Sequence, residues 1–272
     1  MGEIKHRILF VNSEIFPYLP ESPMSLIGRQ LPQGIQERHK ETRSFMPRFG
    51  CINERKNQLH EVIRLSGMNI IISDVDRPLI IKVASIPSAR MQVYFIDNED
   101  YFKRKQIYSD ADGKFFEDND ERAIFYARGV LETVKKLRWA PDIIHCNGWI
   151  SHLVPVFLKR AYKDDPIFSS CKVVLSLYND GQDMVFHPDF RSKVSLGALK
   201  DTDLPFLEKA DMTGLAKTAI QYADGVILGS GGIDESLVRM CRAAQIPVME
   251  FDARAMENGE YIDRYNAFYD SL

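Results

Sequence analysis

The chain has 272 residues, 45% hydrophobic and 27% charged, a composition that suits a water-soluble globule long enough to bury a sizeable core. Its net charge is -3 and it has no basic run, which argues against nucleic acid or an anionic membrane as partner. No apolar run approaches the roughly 18 residues of a membrane span, and the four cysteines (Cys51, Cys146, Cys171, Cys241) form no CxxC pair. The expectation is a reduced, cytoplasmic protein without disulfides, metal or cofactor. Met1 runs almost directly into an apolar strand, leaving no room for a signal peptide.

Arg7 to Val11 is a short continuous apolar run, the pattern of a parallel strand covered on both faces. It ends in Asn12-Ser13-Glu14, and the prolines at 17, 20 and 23 then impose an irregular loop. A helix is expected after Pro23, with Leu26, Ile27, Leu31 and Ile35 on one face, although Pro32 and Gly34 weaken it. Thr42 to Met46 is the second strand. Between Gln58 and Ile96, short β runs at Val62–Leu65, Met68–Ser73, Leu79–Ser85 and Met91–Ile96 predict a β-rich insertion of hairpin type, about 57–90.

Asp97 to Phe116 reads as a long loop pinned by its aromatics. Asp118 and Glu121 have capping-box spacing ahead of a helix whose face is Ile124, Ala127, Leu131 and Val134. Asp142 to Cys146 is a buried strand, and Asn147-Gly148 a tight turn that places His145, Asn147 and Trp149 at the strand's carboxyl edge. The alternative, favoured by the residue types alone, is that His145 is a buried, hydrogen-bonded strand histidine and Trp149 a core anchor. A helix follows. If Ser151 caps it, Pro155 falls in its first turn; if it starts at Gly148, Pro155 kinks it.

Lys172 to Leu177 is another strand, followed by the polar loop Tyr178 to Asp183, and Phe190 to Phe206 reads as irregular. A helix bearing Leu215, Ala219 and Ile220 leads to strand Val226–Leu228. Gly229-Ser230-Gly231-Gly232 then precedes another helix. It is either a turn with Ser230 or Asp234 as cap or a nucleotide cradle, though it lacks the spacing of the standard phosphate fingerprints. Val248 to Phe251 is a last strand, and Ala255 to Tyr269 a helix with Tyr261, Ile262, Tyr265, Phe268 and Tyr269 on its apolar face. The β/α alternation gives an α/β, Rossmann-like doubly wound, mainly parallel sheet in one domain spanning 1–272, with a bracing helix at about 255–270.

The order Ser13-Glu14-Ile15-Phe16-Pro17, Met46-Pro47-Arg48-Phe49-Gly50, Tyr94-Phe95-Ile96-Asp97-Asn98, Asp118-Asn119 with Arg122, Pro141-Asp142-Ile143-Ile144-His145, Trp149 and Tyr222-Ala223-Asp224 resembles the N-terminal catalytic domain of bacterial glycogen synthases and plant starch synthases. The likeness runs from about Arg7 to Cys241. It implies the N-terminal half of a GT-B glycosyltransferase, an enzyme that moves glucose from ADP-glucose onto an α-1,4-glucan. The departures are as informative. The family's Lys-x-Gly-Gly reads Pro20-Glu21-Ser22-Pro23, and its Leu-Ala-Asp reads Met24-Ser25-Leu26. Its His-x-His-Asp-Trp-His reads His145-Cys146-Asn147-Gly148-Trp149-Ile150, and the sugar-contacting histidine of Thr-(Ile/Val)-His-Asn is Tyr178, beside Asn179.

The family completes its site with a second Rossmann domain, which this sequence does not contain; a natural single-domain protein is expected. No catalytic residue is assigned. The expected ligand is an α-1,4-glucan or maltooligosaccharide, bound by Glu14, His145, Asn147, Trp149, Tyr178 and Asn179 in a catalytically degenerate module. The alternatives are a synthase subunit completed by a separate donor-domain chain, or an unrelated use of the fold with a nucleotide at Gly229 to Gly232.

Overall fold

A computed structural model describes residues 6–180, 183–195 and 199–272. Ten strands form the sheet: β1 (Arg7–Asn12), β2 (Glu41–Pro47), β3 (His60–Glu61), β4 (Met68–Ile72), β5 (Val75–Ile86), β6 (Met91–Asp97), β7 (Ile143–Asn147), β8 (Lys172–Leu177), β9 (Gly225–Leu228) and β10 (Val248–Met249). Helices α1 (Pro23–Glu37), α2 (Glu99–Phe102), α3 (Asn119–Leu137), α4 (Val154–Val156) and α5 (Phe190–Val194) precede α6 (Met212–Tyr222) and α7 (Glu235–Ala243). The chain closes with α8 (Ala253–Asn258) and α9 (Tyr261–Asp270).

The strand order is β10-β9-β8-β7-β1-β2-β6-β5-β3, with β4 paired to β5. Pairing is parallel from β10 through β6, and antiparallel among β6, β5, β4 and β3. The strands expected at 7–11, 42–46, 93–96, 142–145, 172–175 and 226–228 therefore lie in one mainly parallel sheet. The chain winds outward from β1 in one direction through β2 and β6, then returns to β7 on the other side. The crevice beyond the carboxyl ends of β1 and β7 is thus the topological switch point, where open α/β sheets bind ligands.

Strand alternation sorts the core into two layers. Leu9, Val11, Ile144, Cys146, Val173 and Leu175 face the layer that contains α3 and α6. Ile8, Phe10, Ile143 and Val174 face α1, α8 and α9. Tyr261, Tyr265, Phe268 and Tyr269 of α9 belong to this second layer. Polar contacts fasten α9 as well: Tyr261 Oη donates to Gln30 Oε1 at 2.9 Å, and Arg38 and Lys40 pair with Asp263 and Asp270. Packing of this kind overrides the weak helix propensity of Pro32 and Gly34, so α1 runs unbroken through both. Its start is a reciprocal cap: Ser22 Oγ accepts from Ser25 N at 3.0 Å, and Ser22 N donates to Ser25 Oγ at 2.8 Å.

Several local expectations are corrected. The Asp118 carboxylate does not cap α3; it pairs with Arg104 at 2.5 Å, and Glu121 accepts from Tyr101 Oη instead. Val62 to Leu65 is a turn rather than a strand, and the single helix expected at Ala255–Tyr269 is two, broken at Gly259. The helix after β7 is capped by neither Ser151 nor Gly148. A 3₁₀ turn at Trp149–Ser151 leads to Leu153, Pro155 lies in the first turn of α4, and a π-helical turn Phe157–Ala161 follows. The first-turn placement leaves the proline's missing N–H without cost. Within the stretch read as irregular, Phe190–Val194 is helical and Pro205–Glu208 a 3₁₀ turn; residues 196–198 lie outside the described chain.

The loop before α3 is anchored by Arg122, which is fully buried. Its guanidinium lies over the rings of Phe49, Phe102, Tyr108 and Phe116, and its Nη1 donates to Asn119 Oδ1 at 2.5 Å. Cation–π contact of this kind is strongest where water is excluded. The aromatics at 97–116 therefore fold around a cation on α3.

The docking of α9 gives a direct prediction. A chain ending after Phe251 should unfold at a clearly lower temperature, because Ile8, Phe10 and Ile143 lose their cover. Tyr269→Phe, which only unpairs a buried imidazole, should cost about 1–3 kcal/mol in urea denaturation. Unchanged midpoints in both would show that α9 does not hold the sheet.

Candidate functional site

The site follows from strand register. Asn12 pairs with Asn147 across β1 and β7, and Asn147 with Ser176 across β7 and β8, so these strands end level. Asn12, Asn147 and Tyr178 continue the alternation of Phe10, His145 and Ser176 and lie on the α9 side of the sheet. Asn147 Nδ2 donates to Asn12 Oδ1 at 3.1 Å, and Tyr178 Oη donates to Asn147 Oδ1 at 2.5 Å. A polar row thus crosses three strand ends. Gly229 makes room for it: a Cβ there would lie 2.5 Å from the Tyr178 ring. Gly148 turns the chain with φ of 92°, and a Cβ there would meet Ser13 Oγ and the Met24 sulfur.

His145 lies one step below this row and is wholly enclosed. Its ring nitrogens face Ser176 Oγ at 2.7 Å and Tyr269 Oη at 2.8 Å. Burial pushes its pKa down to about 3, so it is a neutral imidazole that donates from one nitrogen and accepts at the other. It supports the site from beneath and has no free nitrogen for a ligand. Trp149 is likewise 3% exposed, packed against Tyr108, Phe115 and Phe186 with ring centroids 4.8–5.7 Å away. Both residues occupy the buried positions that were the alternative reading of this stretch.

Glu14 is half-buried above the β1 end and accepts from Ser22 Oγ at 2.7 Å, which ties it to the first turn of α1. Asn179 is exposed, and its amide donates to Ser230 Oγ at 2.8 Å, beside the glycine-rich turn. That turn leads to α7 with Asp234 as cap, its carboxylate accepting from Ser236 N at 2.7 Å. The structure therefore sets the half-buried Glu14 and Tyr178 at the crevice and the exposed Asn179 at its rim, and buries Asn147, His145 and Trp149 beneath them.

Asp180 was not singled out by the sequence. Its pKa is pushed up to about 7, first by burial and then by the Glu14 carboxylate, while the Trp149 amide pulls it down. Tyr108, from the loop packed around Arg122, is also part of the site. Its phenol is raised by burial and by Glu14 and lowered by the neighbouring Ser13 hydroxyl, and Asn12 Nδ2 is buried nearby without a partner. No local signal could have found Tyr108, since it reaches the crevice only through tertiary packing. Hydroxyl and amide groups beside two carboxylates can accept from and donate to the hydroxyls of a sugar, and they bring no positive charge to an anion. Among the described residues no group of His, Cys, Asp and Glu could hold a metal ion.

The titrations run in opposite directions. His145 and the buried His152, held at about 3 and about 4, charge far more readily in the unfolded chain, where histidine titrates near ~6.5. Stability from these residues is complete above that value and lost as pH falls below it. Asp180 is the reverse: its folded pKa is raised, so stability is lost as pH rises through about 7. Asp180→Asn should therefore gain on the order of 2 kcal/mol at pH 8, where the shift is discounted for partial solvent screening, and almost nothing at pH 4. Urea denaturation at both pH values checks this; an equal gain at both would mean that Asp180 is not the titrating group.

Comparison with known proteins gives the family. The chain matches the starch synthase catalytic domain family over residues 7–241. It is 38% identical to a glycogen synthase of Chlorobium luteolum over 180 residues, 66% of this chain and 37% of that protein. It is 34% identical to the glycogen synthase of Chlorobium phaeobacteroides over 239 residues, 84% of this chain and 48% of that one. The chain thus spans less than half the length of these relatives. Its fold superposes on the catalytic domain of starch synthase IV from Arabidopsis thaliana, a structure bound to ADP and acarbose, with a TM-score of 0.68 and 15% identity over 91% of this chain and 51% of that one. Among the described residues no helix is long and apolar enough to cross a membrane. With a family match over most of its length, and relatives above 30% identity, the chain belongs to the starch synthase catalytic domain family, which includes glycogen synthase-like proteins.

Proposed function

We propose that this chain is a glycogen or starch synthase-like domain that binds α-1,4-glucan at the β1/β7 crevice and does not by itself transfer glucose from ADP-glucose. The observation that carries this reading is the charge of the crevice. After burial, the Glu14 carboxylate is what raises the pKa of Asp180, and among the described residues neither makes an ion pair. Transfer from a nucleotide sugar needs preorganised positive charge for the departing diphosphate, and one such contact is typically worth on the order of 10²–10³ in rate. At the start of α1 the resembled lysine position is Pro20, and Glu21 beside it is exposed. The Ser22 hydroxyl is engaged as cap and donor to Glu14.

The same features suit a neutral polyol. Carboxylates, amides and phenols hydrogen-bond sugar hydroxyls without needing a charged ligand. Tyr178 stands where the family's sugar-contacting histidine would be, its hydroxyl held by Asn147.

The test is titration calorimetry with maltoheptaose and with ADP-glucose, together with incorporation of radiolabelled glucose into glycogen. Binding of maltoheptaose alone is expected, weakened about tenfold by Asn147→Ala, with incorporation no higher than in a heat-treated control. Incorporation by the isolated chain would refute the reading. Incorporation only after a separate donor domain is added would instead favour an acceptor half of a two-chain enzyme.

A further inference from the structure

A cleft of about 540 Å³ lies apart from the strand-end crevice, bounded by α1, the loop after β1, the segment at 56–60 and the turn from β5 to β6. Arg29 and Lys56 bring positive charge to it, His60 lines it as well, and no carboxylate does. In a chain of net charge -3 that is a local excess of positive charge. Arg29 spends one guanidinium nitrogen on Ser88 Oγ at 3.2 Å, and among the described residues neither Arg29 nor Lys56 is in an ion pair. Asn57 and Gln58 add neutral donors and acceptors along the wall.

An independent observation points to a ligand. Tyr18 also lines the cleft; it is 7% exposed, yet its hydroxyl has no hydrogen-bond partner in the protein. Its ring is fixed edge-on to Phe95 at 4.9 Å, so the phenol is held in place. A buried hydroxyl left unpaired is unfavourable, and native structures rarely keep one without a reason. The volume is that of a small-molecule site.

We propose that this cleft binds a small phosphate monoester that also carries hydroxyl groups. Arg29 and Lys56 take the phosphate through charge-assisted hydrogen bonds, Arg29 through its planar fork, with the His60 ring beside them. Tyr18, Asn57 and Gln58 take the hydroxyls, and Phe16 covers the body of the ligand. The site differs in sign from the crevice beyond β1 and β7, so one domain presents an acidic and a basic recognition surface on either side of the segment that joins β1 to α1.

The experiment is calorimetry on the purified chain with ribose 5-phosphate, inorganic phosphate and ribose. Ribose 5-phosphate should bind saturably, inorganic phosphate more weakly, and ribose not at all at the same concentrations. The double variant Arg29→Gln, Lys56→Gln should weaken ribose 5-phosphate at least about tenfold, as expected when charged partners are lost. Tyr18→Phe should weaken it severalfold while leaving the unliganded chain no less stable, since it removes an unpaired group. Absence of binding by either phosphate, ribose binding as tightly as its phosphate, or affinity unchanged in both variants would overturn the proposal.

Discussion

The position of His145 between Ser176 and Tyr269 is the contact on which the arrangement of the site depends. A fully buried imidazole must have its nitrogens satisfied or destabilise the fold. One partner comes from β8 and the other from α9, so the demand is met only when the last helix lies across the sheet. Once α9 is there, its tyrosines cover Phe10 and Val174 and leave the next residues of the alternation, Asn12, Asn147 and Tyr178, as the end of the layer. A helix far from the crevice in sequence thereby sets the floor of the crevice.

The row at the strand ends shows how a family fold can be kept while its chemistry changes. Parallel pairing forces β1, β7 and β8 to finish level, and the reversal of winding between β1 and β7 opens a gap there whatever the side chains are. What fills the gap is free to vary. In this chain it is filled by amides, a phenol and two carboxylates, one of which, Asp180, has its pKa raised first by burial and then by Glu14. That electrostatic character is opposite to what a diphosphate requires, and it is the physical basis for reading the domain as a sugar-binding relative of the synthases.

The segment between β1 and α1 is the common wall of the strand-end crevice and the basic cleft. Glu14 turns toward the strand ends, Phe16 and Tyr18 toward the basic cleft, and Ser22 caps the helix while donating to Glu14. Phe16 N also donates to Ser25 O at 3.0 Å, which fastens the loop to the first helical turn. A ligand in the basic cleft would bear on the same short loop that positions Glu14.

The sequence by itself determined the sheet. Continuous apolar runs separated by helical periodicity can be accommodated only as buried parallel strands with crossovers, and six strands and the polar edge at Asn12, Asn147 and Tyr178 were legible from that alone. The order of landmarks also sufficed for the family. What local pattern could not supply was which polar groups meet. Asp118 has the spacing of a cap, yet Arg104 reaches its carboxylate first. His145 and Trp149 sit beside a functional edge in sequence, but strand alternation and the arrival of α9 and Tyr108 bury both. Asp180 acquires its raised pKa, and Tyr18 its unpaired hydroxyl, only from neighbours distant along the chain. Periodicity encodes which face a residue takes; burial and charge at that face depend on long-range packing, and only the tertiary structure decides them.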